Sequence, residues 1–129
     1  MSLENVELAL QAIEEFNKTR RLGPAFDRLI HPGVDFKDEI GEYDNRQEVR
    51  DFLEGFAQSI GGLHVEVEDT VEAGDTIVLQ VVQPGRGAAS EVPIAQPFTW
   101  VMRFDRGRCV WWRIRADHAL ALEEAGLSE

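Results

Sequence analysis

The chain has 129 residues, with 24 Asp/Glu against 13 Lys/Arg for a formal net charge of −11, 43% hydrophobic residues and one cysteine. That length predicts one domain, residues 1–129, with its own core. The lone Cys109 excludes an internal disulfide and fits a reducing, cytoplasmic setting, while the acidic balance argues against nucleic acid and anionic membranes.

Residues 3–18 predict an amphipathic helix: Leu3, Val6, Ala9, Leu10, Ile13 and Phe16 recur at helical spacing, with Ser2 as a candidate N-cap. This acidic segment resembles neither a signal nor a transit peptide, and no run approaches the roughly 20 apolar residues of a membrane span. Pro24 starts a short helix to Ile30, which His31-Pro32-Gly33 ends. Residues 34–38 alternate as a strand, and a loop follows to Asp44. Asn45, with Glu48 three residues on, opens a helix that runs to about Ile60 and stops at Gly61-Gly62.

Strand signals dominate from there. Residues 63–68 alternate with Leu63, Val65 and Val67 on one face, and residues 76–83 are apolar enough to be covered on both faces. Pro84-Gly85-Arg86-Gly87 is expected to break the strand, with a loop over 88–97. Residues 98–116 predict a β-hairpin around Asp105-Arg106-Gly107, and Asp117 leads into a helix over 118–125. Helices followed by antiparallel strands predict an α+β fold with a curved antiparallel sheet.

Two hairpin registers are possible. A two-residue Arg106-Gly107 turn pairs Phe104 with Cys109. A three-residue turn with a bulge at Gly107 pairs Trp100 with Trp112, Phe98 with Ile114 and Met102 with Val110. The second is favoured because it places Phe98, Trp100, Met102, Val110, Trp112 and Ile114 on one apolar face. Val101, Arg103, Cys109, Trp111, Arg113 and Arg115 fall on the other.

Several ordered marks resemble the SnoaL-like branch of the nuclear-transport-factor-2-like superfamily. They are Phe16-Asn17 at the end of the first helix, residues 29–36 (LIHPGVDF), 45–53 (NRQEVRDFL), 104–110 (FDRGRCV) and 117–127 (DHALALEEAGL). The resemblance spans nearly the whole chain. It implies a cone, with the N-terminal helices on the concave face of the sheet and a pocket between them. It also implies that the opposite face makes a homodimer, here through Val101, Trp111 and Arg113.

The expected pocket residues are Phe36, Tyr43, Phe98, Trp100, Met102, Trp112 and Ile114, with Trp100 and Trp112 either lining a cavity or filling the core. Proton transfer at carbon needs a carboxylate in an apolar pocket. Asp38 and Asp117 are the candidate catalytic acids, and the competing roles are a solvated loop acid for Asp38 and a helix cap for Asp117.

By resemblance, Phe36 stands near the position of an isomerase's aspartate, Ala12 where such isomerases carry tyrosine, and Ile114 where the family's hydrolases carry an acid. Those mechanisms are therefore not carried over. No His pair has ligand spacing and no phosphate loop occurs, so no metal and no cofactor are expected. The expected partner is a small apolar or ring-containing ligand. The alternative is a non-catalytic dimerisation or accessory module.

Overall fold

The computed structural model describes residues 2–87 and 93–127. Four helices are present: α1 (Ser2–Thr19), α2 (Pro24–Leu29), α3 (Arg46–Ser59) and α4 (His118–Glu124). Val6, Ala9, Ile13 and Phe16 form the buried stripe of α1, the spacing that aligns residues on one helix face. Arg20 ends the helix in the left-handed region (φ 64°), its N–H donating to the Phe16 carbonyl at 2.7 Å. Its guanidinium donates to the carbonyls of Ala57 and Ile60 at 3.3 and 3.2 Å, tying the end of α1 to the C-terminus of α3.

Pro24 opens α2 as expected, and the Glu15 carboxylate accepts from Gly23 N–H and Ala25 N–H at 3.1 and 3.2 Å in place of a cap. Asn45 caps α3, its side chain accepting from Glu48 N–H at 2.9 Å. Asp27 joins the two helices by pairing with Arg46 and Arg50.

The strands are β1 (Ile30–Lys37), β2 (Glu42–Tyr43), β3 (Ile60–Gly61), β4 (Glu66–Ala73), β5 (Thr76–Gly87), β6 (Pro93–Asp105) and β7 (Arg108–Arg115). They form a curved sheet in the order β2-β1-β7-β6-β5-β3, with β4 also on β5. The fold is the expected α+β, but the sheet is mixed: β1 runs parallel to β7, placing Phe36 beside Trp112. α2 ends at Leu29 with Ile30 as its C-cap, one residue before the expected end, and Ile30 and His31-Pro32-Gly33 belong to β1, where the register shifts between Ile30 and Asp35.

β5 also passes through Pro84–Gly87, where a break was expected. Along β5, pairing with β4 stops at Val82 and pairing with β3 starts at Arg86, so Pro84 lies where that edge of β5 has no strand partner. Pro97 similarly precedes the first β6–β7 pair, Thr99 with Arg115. Residues 63–65 are not in a strand: β4 starts at Glu66 and forms an exposed edge carrying Glu66, Glu68, Asp69 and Glu72, charges that discourage pairing with another chain.

The hairpin turn is the two-residue one. Arg106 (φ 52°) and Gly107 (φ 81°) both take positive φ, the type I′ conformation whose twist matches the flanking strands. Phe104 pairs with Cys109, and the register shifts beyond that pair, leaving Val110 as the extra residue. Trp100 then faces Ile114 and Met102 faces Trp112, two residues from the expected pairs. A two-residue displacement preserves parity, so the division into apolar and polar faces stands. Cys109 is the exception: it is fully buried in the main core beside Phe104.

That core lies between α1–α3 and the concave face, with Phe26, Phe36, Ile77, Leu79 and Met102 almost wholly buried. Each such side chain contributes roughly 1.5–3 kcal/mol relative to exposure. A smaller core lies on the convex face, where α4 packs Ala121 and Ala125 onto Val78 and Val101. Part of the face expected to dimerise is thus covered within the chain. Val101 is 0% exposed under Ala121 and Ala125 of α4, Arg113 is 5% exposed and pairs with Asp35, and the guanidiniums of Arg103 and Arg113 lie over the Trp111 ring at 4.3 and 4.2 Å. Among the described residues no helix is long and apolar enough to cross a membrane.

Candidate functional site

The helices and the concave face enclose an apolar chamber of about 80 Å³. Ala9, Ala12, Ile13 and Phe16 enter it from α1 at i, i+3, i+4 and i+7, while Phe26 and Leu29 come from α2, and Leu53 and Phe56 from α3. The sheet supplies Gln83, Trp100, Trp112 and Ile114.

Leu63 and Val65 complete the wall through a side chain acting as a strand partner. The Asn17 amide accepts from Val65 N–H at 2.8 Å and donates to the Val65 carbonyl at 2.9 Å. A second, outer chamber of about 160 Å³ is lined by Asp38, Glu39, Ile40, Phe52 and Phe98, and it shares Leu53, Phe56, Gln83 and Ile114 with the first. Each volume is several times the roughly 15 Å³ a single water needs.

Trp112 is held by aromatic contacts on both sides. Phe36 meets it edge-on at 4.9 Å between centroids and Trp100 at 5.3 Å. Tyr43 and Phe52 pack behind Phe36 at 6.3 and 6.2 Å, so the ring is fixed before any ligand arrives. Neither indole nitrogen of Trp100 or Trp112 has a hydrogen-bond partner among the described residues, although both are buried.

The expected pocket set divides accordingly. Trp100 and Trp112 line the inner chamber, Phe98 the outer and Ile114 both. Phe36, Tyr43 and Met102 do not reach either wall: Phe36 and Met102 are 0% exposed and fill the core, and Tyr43 packs against it. The helical contributors and Gln83 were not singled out by the sequence. A helix's apolar stripe looks the same whether it meets a sheet or a cavity.

Of the candidate acids, Asp38 faces the outer chamber and Asp117 faces neither. Asp117 is exposed and caps α4, its carboxylate accepting from Leu120 N–H at 3.0 Å. Asp38 Oδ1 accepts from Ile40 and Gly41 N–H at 2.9 and 2.8 Å, the Asx-turn geometry that shapes the β1–β2 loop.

Arg115 ties this loop to α4. It donates to the Asp38 carbonyl at 2.9 Å and makes a bidentate pair with Glu124 at 2.7 and 3.0 Å. The hydrogen bond from Arg115 holds the Glu124 carboxyl below its ordinary range, and the same contact raises the guanidinium further.

Among the described residues no titratable side chain lines the inner chamber. Cys109 is not a nucleophile, since burial pushes its thiol up to about 12. Among the described residues no three His, Cys, Asp or Glu side chains gather as a metal site would require. The positions that matter to isomerase and hydrolase chemistry in the resemblance are apolar where they meet the cavity: Ala12 in the inner chamber, Ile114 in both. The site can bind and orient an apolar molecule, with carboxylates available only on the outer side.

A family model described as a SnoaL-like domain matches residues 9–112. No curated protein matches the sequence significantly. Solved structures share the fold at low identity. A putative SnoaL-like polyketide cyclase from Jannaschia sp. CCS1 is 18% identical, with 98% of this chain and 94% of that chain covered and a TM-score of 0.78. AclR, a putative hydroxylase from Streptomyces galilaeus, is 16% identical with 96% of both chains covered and a TM-score of 0.74. TerC, co-crystallised with polyporic acid, is 17% identical, covering 94% of this chain and 96% of its own, with a TM-score of 0.76. With 9–112 matched, more than half of its length, the chain belongs to the SnoaL-like domain family.

Proposed function

We propose that this domain binds a small, mainly apolar, ring-containing molecule in the inner chamber, as a ligand-binding or cyclase-type member of its family. The observation that carries the reading is the wall itself: aromatic and aliphatic side chains from three helices and the hairpin surround unfilled space. Relatives of the same fold described as a polyketide cyclase and as a protein co-crystallised with polyporic acid support it. Within this reading, Asp38 at the outer chamber is the acid–base candidate, and Asp117 belongs to the structure of α4. The alternative, a non-catalytic dimerisation or accessory module, rested on the convex hairpin face and the missing acids, and α4 packs over part of that face.

The test is a fluorescence titration with indane, a compact bicyclic hydrocarbon. Trp100 and Trp112 line the chamber, so saturable change in tryptophan emission at one site per chain is expected. A response that never saturates would overturn the proposal.

A further inference from the structure

Charge is distributed unevenly over the two chambers. The inner wall is aromatic and aliphatic apart from Gln83, whereas the outer wall sets Asp38 and Glu39 beside Phe52, Phe56 and Phe98. Among the described residues no Lys, Arg or His lines either chamber. The two spaces adjoin through Leu53, Phe56, Gln83 and Ile114, which brings a molecule held by the inner wall close to these carboxylates.

We propose that the outer chamber takes an ammonium group, so that the ligand is an amine: an apolar ring body carrying one positive charge. This rests on the ligand-binding reading above and names the chemical class that the paired chambers select. Carboxylates and aromatic rings are the two kinds of side chain that attract an organic cation, the first by charge and the second by the negative faces of the rings. Both kinds share the wall of one space of about 160 Å³.

The neighbouring cations do not cancel this attraction. Arg115 pairs bidentately with Glu124 at 2.7 and 3.0 Å and approaches Glu39 only at 3.5 Å. Its contact with Asp38 is to the backbone carbonyl, not to the carboxylate. Lys37 and Arg113 are engaged by Glu42 and Asp35 at 3.9 and 3.1 Å. Asp38, Glu39 and Glu124 therefore outnumber Arg115, and the mouth stays negative. The Asp38 carboxylate is also held in place by Ile40 and Gly41 N–H before a ligand arrives. A net charge of −11 draws a cation towards the chain and repels an anion, while a neutral ring gains nothing from the acids.

The test compares indane, 2-aminoindane and 2-(aminomethyl)indane, the last setting its ammonium one carbon further out, by calorimetry at neutral pH and low salt. At least one amine is expected to bind tenfold or more tighter than indane, and added salt should shrink the advantage, because both carboxylates are partly exposed. Asp38→Asn keeps the oxygen that accepts in the Asx turn, and Glu39→Gln keeps the length of the side chain. Each should lower the ratio of amine to indane affinity several-fold. Glu72→Gln, on the exposed edge of β4, removes the same charge far from either wall and should leave the ratio unchanged. Amines that bind no tighter than indane, or that keep their advantage in both Asp38→Asn and Glu39→Gln, would overturn this inference while leaving the apolar site standing. Absence of saturable binding by all three compounds would overturn both.

Discussion

Filling the inner chamber should make the protein more stable and less able to bind. Ala12 is buried on α1 with its methyl at the chamber wall. Leucine there projects into the space at a helix-propensity cost of only a few tenths of a kcal/mol. Cavity cost runs at about 24 cal/mol per Å³, so eliminating about 80 Å³ would gain at most about 2 kcal/mol. Imperfect fit removes part of that, and a net gain of about 1 kcal/mol raises Tm by roughly 3–6 °C for a domain of this size.

The assay is paired: thermal and urea unfolding of wild type and Ala12→Leu, then indane titration of both. The expected result is a stabilised variant whose indane affinity falls at least tenfold. A variant destabilised by about 2 kcal/mol or more would mean that the space is not available to a side chain. One that is stabilised yet binds indane normally would place the ligand elsewhere.

Three further expectations follow from the same geometry. Arg115→Met should cost about 1–2 kcal/mol at pH 7, because it removes a bidentate, mostly buried pair. Glu124 is held below its ordinary 4.5, so this contribution is fully present above pH 4.5 and is lost as pH falls through the lowered folded-state value. Urea midpoints of the two proteins should therefore converge in acid, and a constant gap would contradict the assignment. Gly107→Ala should lose about 1 kcal/mol in urea unfolding, because φ is 81° while nothing lies within 4 Å of the added Cβ, and Gly107→Asn should recover part of it. Cys109 should resist thiol reagents until the protein unfolds; labelling at the rate of a free thiol would contradict its burial.

The hairpin shows what the sequence could and could not convey. Alternation put Trp100, Trp112 and Ile114 on the concave face, and that placement depends only on parity. The pairing itself depended on backbone angles at Arg106 and Gly107 and on a bulge at Val110, features of local twist that residue type suggests but does not determine. Pro84 looked like a strand breaker because proline's cost depends on whether a neighbour needs its N–H, which only the sheet order reveals.

The convex face carries a contact that composition did not convey. Val101, Trp111 and Arg113 have the composition of an interface, and Val101 and Trp111 pack with Ala121 and Ala125 of α4 in the same chain. The surroundings of the tryptophans were legible only in part. Two tryptophans facing one way were expected, whereas the missing acceptors on both indoles required the packing around them.

The most direct measurement is a crystal structure of the protein grown with indane. The ligand is expected in the inner chamber, its rings against Ala12, Ile13 and Ile114. Clear density for indane at another surface, with the chamber unchanged, would contradict the account.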